Sequence, residues 1–259
     1  MTFRVGTFNV NSLRSRLPVL ERWLPTAGVD VLCVQETKVT DDQFPVAEVE
    51  AMGYHAVFAG QKSYNGVAVL SRRAPDESVS GFNDSQEPNA DSRLLAVRFG
   101  DLWIFNSYVP QGKAIDHPDY QYKKEFLSRL SGLVAARLPG NVLWVGDLNV
   151  APTPLDVTNP TNKKDHVCFI QELRDLYALK TSALVDLLRR FHDGEELYSF
   201  FDYRVKNALE RNIGWRIDHM LASPALAGLC RNCWIDKEPR GWEKPSDHTP
   251  MLADFDLEL

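Results

Sequence analysis

The stretch Asn141 to Pro154, NVLWVGDLNVAPTP, constrains this chain more than any other. Its apolar run Val142-Leu143-Trp144-Val145 is about the length of a strand buried on both faces. A glycine follows, and then Asp147 and Asn149 stand two apart. Along an extended chain, residues two apart point to the same side. Nearby prolines forbid any continued regular element. A buried strand ending in Asp-x-Asn would hold a carboxylate and an amide on a rigid edge. A turn that merely uses Asp and Asn, both common turn residues, accounts for this stretch equally well. Recurrence of the arrangement along the chain tips the balance.

Phe3 to Val10 alternates, is rich in β formers, and carries Asn9-x-Asn11 at its end. Leu17 to Trp23 has apolar residues at near-helical spacing up to Pro25. Val29 to Glu36 is a second near-continuous apolar strand that ends in polar residues. Strand, helix and strand within about 35 residues imply parallel neighbours, with both carboxyl ends on one edge. Asn9 and Glu36 are then expected to meet. His55 to Gly60 and Gly66 to Ser71 read as short strands. Leu94 to Phe99 and Leu102 to Tyr108 read as a hairpin around Gly100-Asp101, again ending in polar groups, Asn106 and Tyr108. Tyr120 to Leu138 is an amphipathic helix with Tyr122, Phe126, Leu130, Leu133 and Val134 on one face. It leads into the Asn141 to Val150 strand, so the chain contains two similar strand-helix-strand halves. Phe169 to Leu179 and Ala183 to Phe191 read as helices, and Trp215 to Leu221 as a strand with Asp218 between apolar residues. Pro245 to Pro250, PSDHTP, sits at a strand entrance. No linker composition interrupts the chain, which argues for a single domain over residues 1–259.

With 259 residues and 44% apolar content, a sizeable core is within reach. The net charge of −6 argues against coating nucleic acid through bulk charge. It does not exclude a nuclease, because a metal site itself collects carboxylates. The four cysteines lack a disulfide-framework pattern, and the lone C-x-x-C of Cys230 and Cys233 has no partner pair for zinc. The first residues run straight into a strand with no apolar signal segment. No apolar run approaches the ~18 residues that span a bilayer. A reducing, cytoplasmic setting away from membranes is the expectation.

Strand-end and loop positions collect Asn9, Asn11, Glu36, Tyr108, Asp147, Asn149, Asp218, Asp247 and His248. This is the chemistry of a hard-metal site with an acid–base pair. Mg2+ takes one or two carboxylates, with water and substrate phosphate completing its shell, and Glu36 and Asp247 could supply them. Zinc would want His and Cys, and one candidate His stands here. His248 beside a carboxylate can be oriented or held protonated by it. Each residue also has an ordinary alternative: Asp218 paired with Arg216 or Arg211, His248 capping a turn, Asn9 closing a strand.

The matching blocks are FNVNSLRSR at Phe8 to Arg16, VLCVQETK at Val31 to Lys38, NGVAVLS at Asn65 to Ser71 and NSYVPQG at Asn106 to Gly112. They continue with WVGDLNVAP at Trp144 to Pro152, FFDYR at Phe200 to Arg204, GWRID at Gly214 to Asp218 and PSDHTP. On these blocks, in order over nearly the whole length, the chain resembles the exonuclease III family of abasic-site endonucleases. That family lies within the endonuclease/exonuclease/phosphatase fold that also holds DNase I. YVPQG and the FFDYR/GWRID pair resemble the DNA-repair branch rather than the phosphatases of lipids or inositol phosphates.

The resemblance implies an α/β fold, a four-layer sandwich of two packed mixed sheets flanked by helices. It implies a Mg2+-dependent phosphodiesterase, with Mn2+ able to substitute, that acts as a monomer on double-stranded DNA. The expected reaction is cleavage 5′ to abasic sites, with 3′-phosphodiesterase, 3′-phosphatase and 3′–5′ exonuclease activity on blocked 3′ ends. Rivals are a phosphoesterase of the same fold acting on RNA, lipid or inositol phosphates, and an inactive DNA-binding relative. On the family pattern Glu36 holds the metal, helped by Asn9 and Asp247. Asp147 positions or deprotonates the attacking water, and Asn149 orients that water or the phosphate. His248, fixed and kept charged by Asp218, contacts a phosphate oxygen. Tyr108 donates to the transition state or stabilises it as phenolate. Asn11 stands where some relatives carry a metal-binding Asp, and is assigned to substrate binding. Phe200, Trp215 and Ile217 match an apolar pocket for an extruded, baseless sugar, with simple core packing as the alternative. Phe201 stands where several relatives carry Trp. Lys123 and Arg211, with Lys62, Arg72, Arg73, Lys113, Lys163, Lys164 and Lys206, are expected to form a positive rim for flanking phosphates.

Overall fold

Two mixed sheets of six strands stack face to face, and helices cover their outer faces. The computed structural model describes residues 2–258. In chain order the first half contains β1 (Phe3–Asn9), α1 (Leu13–Ala27), β2 (Val31–Gln35), α2 (Val46–Ala51), β3 (His55–Ala59) and β4 (Val67–Ser71). Next come β5 (Glu77–Ser80), β6 (Leu94–Phe99), β7 (Leu102–Tyr108), α3 (Pro118–Ala135) and β8 (Asn141–Asp147). The remainder is α4 (Gln171–Thr181), β9 (Val185–Asp186), α5 (Leu187–Phe191), β10 (Asp218–Ala222), α6 (Pro224–Leu229), β11 (Cys230–Ile235) and β12 (Met251–Phe255). One sheet has the order β11-β12-β1-β2-β4-β3 and the other β5-β6-β7-β8-β10-β9. Each is antiparallel except for its central pair, β1–β2 in one and β7–β8 in the other. Those parallel pairs are the ones crossed by α1 and α3, because parallel strands need a long connection.

Between the sheets lies an apolar interior built from Val5, Val31, Val69, Ile104, Val145 and Met251, among others. Alternation sends the remaining apolar residues outward. Phe8, Leu32 and Val34 meet Leu20, Trp23 and Leu24 of α1, while Val142 and Trp144 meet Phe126, Leu127 and Leu130 of α3. This is why β2 and β8 read as continuous apolar runs: both faces are covered. At their carboxyl ends the sheets are joined by amides. The Gln35 side chain donates to Asn106 Oδ1 (2.7 Å), and Asn106 Nδ2 donates to the carbonyls of Val34 (3.0 Å) and Ala68 (2.9 Å) in the facing sheet. Asn106, one of the polar strand-end groups read from the sequence, is thus a buried cross-link between sheets.

Several boundaries differ from the sequence reading. α1 begins at Leu13 rather than Leu17 and runs past Pro25 to Ala27. Gly28 then ends it in the left-handed conformation, with its N–H on the Leu24 carbonyl. The helix expected over Ala183 to Phe191 splits into β9 and the short α5. α2, β5, α6 and β11 carry too short a pattern to be seen beforehand. On β11 a bulge between Cys230 and Asn232 shifts the phase of the strand. Cys230 and Cys233, three apart, are therefore both buried, and all four cysteines are free thiols. No helix among the described residues is long and apolar enough to cross a membrane.

Gly146, at the end of β8, has φ +130°, and a Cβ there would stand 2.0 Å from the Ser107 carbonyl oxygen of β7. Only glycine fits this close approach of two backbones. Gly146→Ala should therefore destabilise the fold by about 3 kcal/mol or more, through strain and strand separation. Urea denaturation reads this as a lower midpoint, and an unchanged midpoint would show that the strands do not approach so closely.

Candidate active site

The topology brings the carboxyl ends of β1, β2, β7 and β8 and the amino ends of β10 and β12 to one edge of the sandwich. At that edge the chain leaves regular structure through left-handed backbone at Asn11 (φ 46°), Glu36 (φ 53°) and Asn149 (φ 52°). Strain of this kind at non-glycine residues persists where the surroundings over-determine it.

Asn9 sits at the centre. Its Nδ2 donates to Glu36 Oε1 (2.8 Å), next to its own sheet, and to Asp147 Oδ2 (2.9 Å) on the facing one. Its Oδ1 accepts from the Asn11 backbone N–H (3.0 Å), which fixes the orientation of the amide. An amide oxygen has two lone pairs, so this bond leaves one open. Through Nδ2, Asn9 holds two carboxylates side by side. Glu36 Oε2 also pairs with Lys38 Nζ (2.9 Å), which bonds Asn11 Oδ1 as well. Burial pushes the Glu36 pKa up, but Asn9 and Lys38 outweigh it and hold the carboxyl below its ordinary value. Asn11 Nδ2 donates to Asp247 Oδ1 (2.9 Å), so Asn11 bridges Lys38 and Asp247. Among the described residues, Glu36, Asp147 and His248 bring ligand atoms within 4.8 Å of one another. Asp247 lines the same cleft but stands outside that group.

A second chain of contacts supports His248. Its Nδ1 faces Asp218 Oδ2 (2.8 Å), and its Nε2 lies 3.8 Å from Asp147 Oδ2. Ser199 Oγ donates to the same Asp218 oxygen (2.6 Å) and accepts from the Asp218 backbone N–H (3.2 Å). Burial alone would strip His248 of its proton; the charge and hydrogen bond of Asp218, then Asp147, reverse this and raise its pKa to about 10. Burial likewise holds the Asp147 carboxyl well above the usual range, with His248 opposing. Asp147 Oδ1 accepts from the Asn149 backbone N–H (3.0 Å), which aims the carboxylate. Asn149 Nδ2 donates to the Val109 carbonyl (3.0 Å). Tyr108 is raised well above its ordinary pKa, first by burial and then by Glu36 and Asp147. These neighbours favour the neutral phenol, which can donate a hydrogen bond.

Asp218 is available to His248 because Arg216 is engaged elsewhere. Arg216, fully buried, donates to Asp156 Oδ1 (2.6 Å) and Asp186 Oδ2 (2.7 Å), and Arg189 also reaches Asp156. Neither alternative partner proposed for Asp218, Arg216 or Arg211, takes it. Asp218 Oδ1 has no hydrogen-bond partner among the described residues.

These groups open into a cleft of about 290 Å³. Phe200 and Trp215, half-buried, form one wall with Ile217, packed against Ala151, Val157 and Phe169. All three line the cleft, Phe200 and Trp215 with part of their surface open and Ile217 buried in the small apolar cluster behind them. Phe200 lies 4.9 Å from the His248 ring, so wall and polar cluster adjoin. Phe201, by contrast, is fully buried against Tyr198 and Ala208.

The positive rim divides. Lys163 lines the cleft, with Nζ 5.6 Å from the Trp215 ring centre, and Arg204 joins it. Arg72 and Arg73 do not belong to the rim. They follow β4, which runs antiparallel to β2, and they pair with Asp30 (3.9 Å) and Asp76 (2.5 Å) at the opposite edge. Lys123 is also corrected: it is fully buried, and its ammonium is spent on backbone carbonyls, so it cannot reach a phosphate. Arg211 is exposed and bonds the Lys206 carbonyl, outside the cleft wall. Two residues that organise the site, Lys38 and Ser199, escaped the sequence reading. Lys38 sits inside the VQETK block, which was its only signal, and Ser199 is masked by the aromatic run around it.

Residues 6–248 match the model of the Endonuclease/Exonuclease/phosphatase family. The chain is 35% identical over 264 residues to exodeoxyribonuclease III of Haemophilus influenzae, covering 96% of this chain and 98% of that protein. Its structure resembles an AP endonuclease from Archaeoglobus fulgidus, with TM-score 0.95 and 44% identity over 98% of this chain and all of that one. It also resembles the 3′-5′ exonuclease NExo from Neisseria meningitidis, with TM-score 0.93 and 34% identity, again over 98% of this chain and 100% of that one.

Behind the site, His219 is buried with Nε2 2.8 Å from the Val150 carbonyl and Nδ1 facing the Tyr177 hydroxyl (3.3 Å) and Arg216 (3.2 Å). Burial and then the Arg216 charge lower its pKa from 6.5 to about 4. As pH falls through 6.5, the unfolded chain takes up a proton that the folded chain refuses, so stability is lost down to the folded value. Between pH 7 and pH 5 this group should remove about 2 kcal/mol of unfolding free energy. Urea titrations at the two pH values measure it, and His219→Gln should flatten the difference. An equal decline in the variant would assign the effect to other groups.

Proposed function

The chain belongs to the endonuclease/exonuclease/phosphatase family, and on that premise we propose that it is a Mg2+-dependent DNA-repair phosphodiesterase. Its substrate is double-stranded DNA with abasic sites, which it nicks on the 5′ side, or with blocked 3′ ends, which it clears by phosphodiesterase, phosphatase and 3′–5′ exonuclease action. It works as one catalytic domain and as a monomer, and its four free cysteines suit a reducing, cytoplasmic setting. The observation that carries this reading is the adjacency of two features. A carboxylate–imidazole cluster meets, through the Phe200–His248 contact, an apolar wall of the chemistry that suits a baseless sugar.

The donor set fits a hard divalent cation. Glu36 and Asp147 offer carboxylate oxygens close together, a single imidazole stands near them, and no thiol joins the group. Asp218 Oδ1, buried with no hydrogen-bond partner among the described residues, is a further carboxylate oxygen behind His248. Glu36 would hold the ion, with Asp247 at the cleft margin and Asn9 keeping the two inner carboxylates in place. When bound, the ion supplies Lewis-acid stabilisation of charge on the phosphate and the leaving oxygen.

The protein's own groups supply the rest. Asp147, raised by burial and aimed by the Asn149 N–H, orients and deprotonates the attacking water in this reading. The Asn149 side-chain amide, whose Nδ2 donates to the Val109 carbonyl, lines the same cleft. His248, kept charged by Asp218, presents Nε2–H to a non-bridging phosphate oxygen, and the Tyr108 phenol donates to another. Asn11 and Arg211 remain candidates for the DNA backbone, with Lys163 and Arg204 beside the sugar pocket.

A duplex oligonucleotide with one tetrahydrofuran abasic analogue should be nicked with Mg2+ and left intact with EDTA. Asp147→Asn should lower turnover by about a thousandfold or more while the duplex is still bound. Trp215→Ala should raise KM for the abasic duplex more than for undamaged duplex with a recessed 3′ end. An intact abasic duplex under all metal conditions would overturn the reading, as would full turnover by the Asp147 variant.

A further inference from the structure

Lys123 is the one fully buried lysine found among the described residues, and it lies directly beneath the cleft. It projects from α3, and its ammonium makes three hydrogen bonds to carbonyl oxygens: Gln111 (3.1 Å), Asn149 (2.7 Å) and Val167 (2.9 Å). An ammonium has three donors, so the set is complete. The three carbonyls belong to three different segments. One follows β7, one follows β8, and one precedes α4. Gln111, Asn149 and Cys168, on or next to those carbonyls, all line the cleft. The Cys168 thiol, 3.8 Å away, is the nearest side-chain contact of the ammonium.

Burying an ammonium against neutral carbonyls is costly, and burial does lower its pKa. No ion pair to Lys123 occurs among the described residues, yet the charge is favoured by the field of Asp147. Methionine would fill the same space without the desolvation cost. What methionine could not do is hold the Asn149 carbonyl. Asn149 joins two peptide groups across its Cα: the carbonyl on its far side is gripped by Lys123, and the N–H on its near side aims Asp147 Oδ1. Asn149 is also in the left-handed conformation (φ 52°), which Asn tolerates better than most residues and which the bonds on either side of its Cα fix.

We infer that Lys123 is a positioning residue for phosphodiester cleavage, a buried tripod that locks the Asp147–Asn149 segment and the two flanking cleft loops into one catalytic geometry. The inference rests on the proposed nuclease reading. Lys123 touches no substrate and acts through Asn149. Its loss should therefore reduce turnover far more than DNA binding.

Three proteins are compared: the wild type, Lys123→Met and Lys123→Arg. Turnover is measured on the abasic duplex with Mg2+, and the dissociation constant on the same duplex in EDTA. Thermal unfolding reports whether each variant is folded at the assay temperature. A wild type that does not nick the duplex would sink the nuclease reading itself, before Lys123 is tested. With an active wild type, Lys123→Met should lose about tenfold or more in kcat while its dissociation constant changes by less than about threefold. Should Lys123→Met fail to fold, Lys123→Arg decides. It keeps the charge, but its planar fork cannot reproduce the three-way geometry, and kcat should again fall by about tenfold. Folded variants with wild-type kcat, or with kcat and affinity falling together, would overturn the inference.

Discussion

The site depends on one amide. Asn9 Nδ2 reaches Glu36 and Asp147 at once, and the two carboxylates come from different sheets. At about 4 Å, two like charges repel by roughly 4 kcal/mol in a partly screened setting. An N–H donor to each lets them stand together, and Lys38 and His248 supply the counter-charge on either side. One layer deeper, Gln35 and Asn106 make the same kind of bridge without charge. The sandwich is therefore apolar through its middle and stitched by amides along a single edge. That edge is where the carboxyl ends of the parallel strands must emerge, so topology and chemistry coincide.

Electrostatic order behind the edge is kept by separation. Arg216 and Asp218 lie two residues apart yet serve different networks. Arg216 is consumed by Asp156 and Asp186, and Asp218 by His248 and Ser199. An Arg216–Asp218 pair would leave His248 buried without its counter-ion, and burial would then neutralise it. Burial, and then the guanidinium, keep His219 neutral, and its Nε2 lies 2.8 Å from the Val150 carbonyl just beyond Asp147. Lys123 repeats this logic from the other side, gripping the next carbonyl back along the same loop, that of Asn149.

Much of the fold was legible because its parallel strands are covered on both faces and end abruptly in polar residues. β7 is bounded as the alternation suggests, from Leu102 to Tyr108, and β2, β4 and β6 fall within a residue or two of expectation. The short elements α2, α6 and β11 were not, since a few residues carry no period, and the β11 bulge further hides its inward cysteines. Convergence of Asn9, Glu36, Asp147, Asp218 and His248 followed from strand ends and family pattern together. Side-chain direction did not. That the Asn9 oxygen faces Asn11, and that Lys123 turns inward, depend on backbone groups brought together from distant segments. Arg72 and Arg73 were misplaced for a topological reason: they leave the end of a strand that runs against β2.

The most direct measurement of this account is anomalous diffraction from crystals of the protein soaked in Mn2+. A peak bonded to a Glu36 carboxylate oxygen, in the cleft shared with Asp147, is the predicted result. An empty cleft at saturating Mn2+, with the ion bound elsewhere or nowhere, would contradict the claim that strand ends of both sheets combine into one cation-holding centre.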